Sequence, residues 1–425
     1  MRGQERQRLI YLRGVSGSKP RVPTDANRLE ERAKEHMSAE AFAYIAGGAG
    51  NGATMRANRA AFDRHRIVPR MLCDVSQRDT TVELFGRRLP SPLLLAPIGV
   101  SEMAHDDADV AVARAARTEG VPMIFSNQAS KPMEEVAKAL GDGPRWFQLY
   151  WSTEDELVAS FAARAEACGC EAIVVTLDTT LLGWRTHDLD LAYLPFLRGK
   201  GIAQYTSDPV FNRLVAEHEK GGAGAAGPAD AERPKPTPSA VATLLALRRA
   251  KVSRAQVQRF INIYSRPSLT WEHLAFLRER TKLPILLKGI CDPGDAGQAI
   301  DAGMDGIVVS NHGGRQVDGA TATLDALPGV VAAVDGRVPV LMDSGIRGGA
   351  DVFKALALGA TAVLLGRPWV NGLAIAGEDG VREVIQNVQA DFDLTLGLAG
   401  CTSVSEVRAD RLAPATGPAA LTPGG

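Results

Sequence analysis

Gly306-Ile307-Val308-Val309-Ser310-Asn311-His312-Gly313-Gly314-Arg315-Gln316 runs from a short apolar segment straight into a polar, glycine-containing turn. The first four residues read as a buried strand. Just past its end, a base and a permanent cation stand three residues apart, with two glycines between them. Glycine permits positive φ and lets backbone approach a flat or charged ligand closely. An imidazole moves a proton near neutral pH, and a guanidinium grips a carboxylate with two hydrogen bonds. A buried strand that delivers reactive groups at its C-terminal end is the unit to look for elsewhere in the chain.

The unit recurs. Upstream stand Pro92–Ala96, Pro122–Phe125, Arg145–Tyr150, Ala172–Leu177 and Pro284–Lys288; downstream stand Val338–Met342 and Thr361–Leu365. Helical stretches alternate with them: Asp109–Glu119, Met133–Leu140, Asp155–Cys168, Trp271–Arg280, Pro293–Ala302 and Ala350–Leu358. The strands are near-continuous apolar runs, so both of their faces are buried, as in a parallel sheet covered by helices. About eight strand–helix units in roughly 280 residues is the size of a (β/α)8 barrel. The fold class expected is therefore α/β, a (β/α)8 TIM barrel with an N-terminal helical segment and a long insertion after the fourth strand. An open doubly wound sheet is the competing arrangement.

The expected organisation is an N-terminal arm over 1–36, a barrel domain over 37–412 and a tail over 413–425, with a lid or linker insertion at 186–269. The basic, polar stretch Met1–Lys19 reads as a flexible arm. Lys220–Ala240, rich in glycine, alanine and proline, reads as a low-complexity linker, and Ala413–Gly425 as more of the same. An insertion this long is functional, mobile or both; Pro195-Phe196-Leu197 and Tyr205 are candidates for a lid.

The 425 residues are 45% hydrophobic and 23% charged, with a net charge of -1. That balance favours neither nucleic acid nor an anionic membrane. The short basic amphipathic piece Val241–Arg249 is the one segment suited to membrane contact, and no apolar run approaches the roughly 20 residues of a span. The five cysteines include no C-x-x-C pair, which argues against a disulfide scaffold and a zinc site and fits a cytoplasmic setting. No metal site is expected.

In a barrel of this kind the active site lies at the C-terminal strand ends. There the sequence places Ser126, Gln148, Tyr150, Thr176, Asp178, Lys288, Ser310, His312, Arg315, Asp343, Gly366 and Arg367. Asp343-Ser344-Gly345-Ile346-Arg347-Gly348-Gly349 and Gly366-Arg367-Pro368 follow the seventh and eighth strands, where barrels commonly bind phosphate. For Gly348-Gly349 the alternative is a tight turn needing glycine for shape alone. Lys288 is able to set a cation against a redox ring, or to reach solvent at the barrel mouth.

From about Met37 to Arg411 the chain resembles the FMN-dependent L-2-hydroxy acid oxidases and dehydrogenases. The matching motifs are Ala96-Pro97-Ile98-Gly99, Gln148-Leu149-Tyr150, Thr176-Leu177-Asp178-Thr179, Leu286-Leu287-Lys288-Gly289, Ser310–Gln316 and Asp343–Ala360. Tyr44–Gly48, Leu182–Arg185, Pro195–Gly199 and Tyr205–Phe211 resemble the lactate 2-monooxygenase branch in particular.

The resemblance implies FMN as cofactor and a role for each matching residue. His312 would be the base and Asp178 the partner of its imidazole. Arg315 and Tyr44, assisted by Arg185, would bind the substrate carboxylate, and Tyr150 the substrate hydroxyl. Lys288 would sit at the flavin N1 and O2 atoms. Ala96, Pro97 and Gly99 would pass beneath the flavin, with Ser126, Gln148, Thr176 and Ser310 around its ring. Asp343, Ser344, Gly345, Arg347, Gly366 and Arg367 would hold the ribityl chain and phosphate. Without the resemblance, Tyr44 reads as a packing tyrosine, Asp178 as a turn cap, Tyr150 as a strand-end aromatic and Arg185 as a surface arginine. Trp184 and Trp271 read as packing residues. His105 and His187 belong to no ligand set.

The implied activity is oxidation of a small L-2-hydroxy acid, lactate first among them, with O2 as acceptor. The products would be either acetate, carbon dioxide and water or pyruvate and peroxide. A dehydrogenase passing electrons to a quinone is the second reading, and a non-catalytic flavin-binding barrel the third. The resemblance further implies a homo-oligomer, a tetramer or octamer.

Overall fold

The computed structural model describes residues 3–220 and 237–415. Eight parallel strands close a barrel in chain order: β1 Leu93–Leu95, β2 Met123–Phe125, β3 Arg145–Leu149, β4 Ile173–Thr176, β5 Ile285–Ile290, β6 Gly306–Val309, β7 Val340–Met342 and β8 Ala362–Leu365. Val363, Leu364 and Leu365 of β8 pair with Leu93, Leu94 and Leu95 of β1, which closes the ring and excludes an open sheet. Every expected strand is present, most of them trimmed by a residue or two at the ends.

Alternation explains the unbroken apolar runs. Leu94, Ile124, Trp146, Val174, Leu286, Val308, Leu341 and Leu364 fill the barrel interior. Their neighbours, among them Leu95, Phe125, Phe147, Val175, Leu287 and Val309, pack against the helices. Both sets are removed from water, so a polar side chain at either position needs a partner. The N-terminal mouth is stoppered by a hairpin of Val82–Leu84 with Arg87–Leu89. Its Leu84 and Leu89 join the interior cluster, and Phe85 lies 5.6 Å from Trp146 between ring centres. The other mouth is left for chemistry.

Two long helices escaped the sequence reading. Thr323–Val334 follows β6, and Arg367–Leu398 follows β8. The second is broken at Ala376 and Gly377, whose φ of +57° leaves the helical region. Beyond the break the backbone turns back on itself. A Cβ on Gly380 would stand 1.9 Å from the Gly372 carbonyl oxygen.

The N-terminal segment differs from the flexible arm expected. Gly3–Val15 is a helix packed on the C-terminal helix. Gly3 N–H donates to Asp393 Oδ2 at 2.7 Å, and the buried Arg6 donates to Asn387 Oδ1 at 3.0 Å. Composition suggested a solvated arm; a glycine small enough to seat the first turn against Ala390 and Leu394 anchors it instead. The tail also begins in structure, since Leu412–Pro414 pairs antiparallel with His65–Ile67. Of the expected linker and tail, residues 221–236 and 416–425 lie outside the described residues.

The rest of the insertion is built. Pro209–Lys220, Pro238–Ala250 and Arg254–Ile263 are helical. Phe196, Tyr205, Phe260 and Tyr264 form an aromatic cluster with ring centres 4.7–6.1 Å apart. Aromatic side chains carry a large apolar area each, enough for a satellite core beside the barrel. Among the described residues no helix is long and apolar enough to cross a membrane.

Candidate active site

A cleft at the C-terminal mouth encloses about 1100 Å³, its open entrance included. One wall is the run Ala96-Pro97-Ile98-Gly99 after β1. Lys288, His312, Arg315 and Asp343 come from the ends of β5, β6 and β7, and Arg347, Gly366 and Arg367 from the loops after β7 and β8. Tyr44 from the helix Ala39–Ala46 and Phe196 and Tyr264 from the insertion close the remaining side. The strand-end residues converge because parallel strands all point their C-termini to one mouth.

His312 Nδ1 lies 2.8 Å from Asp178 Oδ1. That contact leaves Nε2 as the ring nitrogen available to the cleft. Burial pushes the imidazole below its ordinary pKa, and the Asp178 carboxylate opposes without reversing the shift. Asp178 itself is held below the usual carboxylate range: its burial is outweighed by His312 and Lys288. The pair is thus neutral imidazole beside carboxylate, a base with an orienting partner. His312 also adopts φ +58°, a left-handed conformation costly for a side chain of this size. Gly313 and Gly314 continue the left-handed turn, with φ +64° and +76°.

Lys288 is buried, and its ammonium contacts Asp343 Oδ2 at 3.1 Å and Ser310 Oγ at 2.8 Å. Burial alone would lower its pKa, but Asp343 and Asp178 outweigh it and keep the cation charged. Ser310 Oγ also accepts from His312 N–H at 3.1 Å, which ties the base and the lysine to one hydroxyl. Ser344 Oγ donates to Asp343 Oδ1 at 2.8 Å and accepts from Gly313 N–H at 2.9 Å.

Four guanidiniums ring the same cleft, and among the described residues none of them forms an ion pair with a carboxylate. Burial raises the pKa of Asp188, which lies near enough to Arg315 and Arg185 for their charges to oppose that rise. Arg315 donates to the Gly47 carbonyl at 2.9 Å and stacks with its guanidinium carbon 5.0 Å from the Tyr44 ring centre. Arg185 donates to Gln316 Oε1 at 3.0 Å. Arg367 donates to the carbonyls of Gly313 and Gly47 at 3.0 and 2.8 Å, and Arg347 to that of Ile346 at 3.1 Å. Burial, then Arg185, pushes Arg315 down to about 10. Burial, then Arg315 and Arg347, pushes Arg367 down to about 9. Cations gathered this closely away from water require anions.

The donor set fits FMN. A phosphate answers Arg347 and Arg367, and the charged Lys288 answers a ring that gains negative charge on reduction. The wall after β1, Ala96-Pro97-Ile98-Gly99, is apolar. A Cβ on Gly366 would stand 3.7 Å from Ile98 and 3.9 Å from Ala96, so packing within the chain does not demand glycine there and the open space serves a ligand.

Other expectations need adjustment. Ser126, Gln148 and Thr176 do not line the cleft. Ser126 Oγ donates to Gln148 Oε1 and Gln148 Nε2 to Thr176 Oγ1, both at 3.1 Å, so they form one buried chain of bonds. Tyr150 lines the cleft and is buried, with its hydroxyl pKa pushed up by burial and then by Asp178. Gly349 serves shape: its N–H is taken by Asp391, and a Cβ there would meet the Phe392 nitrogen at 2.1 Å. Phe196 does reach the cleft, whereas Tyr205 is enclosed in the aromatic cluster and cannot act as a lid. Trp184 is not a packing residue; it is 72% exposed. Sequence reasoning missed Ile45, Gln128, Thr179 and Tyr264 as lining residues. Gln128 lies two residues past Ser126, close enough to the strand end to have been counted.

Comparison with known proteins agrees with this geometry. The family model described as FMN-dependent dehydrogenase matches residues 33–414. An L-lactate oxidase of Lysinibacillus sphaericus (strain C3-41) is 42% identical, the match covering 94% of this chain and 95% of that protein. A 4-hydroxymandelate oxidase of Amycolatopsis orientalis is 40% identical over 89% of this chain and 95% of its own. The crystal structure of mandelate oxidase with (S)-4-hydroxymandelic acid superposes with a TM-score of 0.76 at 38% identity, covering 92% of this chain and 98% of the other.

Proposed function

The chain belongs to the FMN-dependent dehydrogenase family, and on that premise we propose that its cleft oxidises a small L-2-hydroxy acid, L-lactate first among them, with O2 as final acceptor. The observation that carries this reading is the neutral His312, oriented by Asp178 at 2.8 Å and facing the same cleft as Arg315. Arg315, with Arg185 and the Tyr44 hydroxyl, binds the substrate carboxylate. Tyr150, protonated at any working pH, donates to the C2 hydroxyl or accepts from it. His312 Nε2 takes the proton that leaves as the hydroxy acid becomes a keto acid, and the Asp178 carboxylate stabilises the imidazolium so formed. FMN, when bound, accepts the two electrons and returns them to oxygen. Lys288 would hold positive charge beside it, Ala96, Pro97 and Gly99 would lie against it, and Arg347 and Arg367 would bind its phosphate.

The fate of the product depends on the cover. Phe196, Tyr264, Leu181 and Leu182 border the cleft, so a keto acid must pass them to leave. Held until peroxide attacks it, pyruvate gives acetate, carbon dioxide and water; released first, it leaves with peroxide beside it. Such a choice is set by release rate. A homo-oligomer belongs to the same proposal, supported by the exposed apolar side chains Leu181, Leu182 and Trp184.

Oxygen uptake with L-lactate, followed by product analysis, tests the reading. It predicts oxygen consumption with formation of acetate or pyruvate. Reduction of a quinone without oxygen uptake would make the enzyme a dehydrogenase with another acceptor.

A further inference from the structure

Gln128 is, with Thr179, one of the polar cleft residues that the roles above leave unused. Its backbone is clamped: the N–H donates to Ser126 Oγ at 3.1 Å, and the carbonyl accepts from Val100 N–H at 2.9 Å. Two glycines press on it. A Cβ on Gly99 would come within 2.8 Å of the Gln128 carbonyl oxygen, and one on Gly201 within 3.1 Å. The next residue is held as well, since Ala203 N–H donates to the Ala129 carbonyl at 3.2 Å. Gln128 lines the cleft and is only partly buried, and its carboxamide has no hydrogen-bond partner among the described residues. A rigid main chain carrying an unpaired amide is suited to reading a ligand.

Apart from Thr179, the cleft walls left for a substrate side chain are apolar or aromatic: Ile98, Leu182, Phe196 and Tyr264. Against a plain alkyl group, the carboxamide would lose water and gain nothing, which is costly for a polar group. Against a second carboxylate, it would supply no charge. A hydroxyl, both donor and acceptor, matches an amide that is also both.

We infer that Gln128 is a specificity-determining residue which, among substrates with a side chain longer than the methyl of L-lactate, selects an L-2-hydroxy acid bearing a neutral hydroxyl on its third carbon. This rests on the 2-hydroxy acid oxidation proposed above. The test compares kcat/KM for flavin reduction by L-glycerate with that by L-2-hydroxybutanoate, in which an ethyl group replaces the hydroxymethyl. The FMN-loaded enzyme should favour L-glycerate. Gln128→Met, and Gln128→Leu as a second variant, should each lower the glycerate-to-hydroxybutanoate ratio about tenfold, the worth of one neutral hydrogen bond. A ratio unchanged in both variants, or a wild-type preference for the alkyl acid, overturns the inference while leaving the oxidation intact. No flavin reduction by either acid or by L-lactate overturns both together.

Discussion

At the scale of single residues, His312 is where fold and chemistry meet. It is held in a left-handed conformation, neutral, with Nδ1 committed to Asp178. The base must be unprotonated to act, and burial keeps its pKa below the ordinary histidine value. The acid limb of kcat/KM should therefore lie below about pH 6.5. Asp178→Asn removes the one group that raises His312. The limb should then move to lower pH while the plateau falls, and a pH–rate profile of the variant reads both. An acid limb that moves upward would contradict the electrostatics. The histidine and arginine of this motif were legible because a scarce imidazole and a permanent cation follow an apolar strand. Asp178 was not legible on its own terms: it stands 134 positions away, and only family resemblance paired it with the base. Gln128 was passed over although it stands three residues past the end of β2, because a lone amide there matches no motif.

At the scale of elements, the barrel strands were readable because burial on both faces leaves an unbroken apolar run. The helix Arg367–Leu398 was not, because glycines at 372, 377 and 380 read as breakers. In the structure Gly372 and Gly380 allow two helical halves to touch backbone to backbone. Gly380→Val should accordingly lower stability by about 1–3 kcal/mol, as overpacking does, measured by urea titration of the FMN-loaded protein. The N-terminal helix was lost to composition: charge suggested a solvated arm, while Gly3 and Arg6 are buried against the C-terminal helix. Gly3→Leu should destabilise on the same scale, because a Cβ there would lie 2.5 Å from the Ala390 carbonyl oxygen. A thermal midpoint equal to that of wild type would show that the helix does not seat as described.

At the scale of the whole molecule, the fold gathers positive charge at one mouth and the cofactor and substrate answer it. Arg367, with its pKa pushed down to about 9 by burial and neighbouring guanidiniums, should regain stability when an anion binds. FMN at a hundredfold excess over its Kd should stabilise the folded chain by about 2.7 kcal/mol. Arg367→Ala should weaken FMN binding by about tenfold or more, the worth of a charge-assisted hydrogen bond; fluorescence titration of the flavin reads it. The central claim is that this mouth, loaded with FMN, removes a proton through His312 and oxidises an L-2-hydroxy acid. Anaerobic mixing with L-lactate, followed by flavin absorbance in wild type and in His312→Ala, tests it most directly. The account predicts that the wild-type flavin bleaches and that the yellow His312→Ala protein bleaches at least about 100-fold more slowly; bleaching of both proteins at one rate would contradict it.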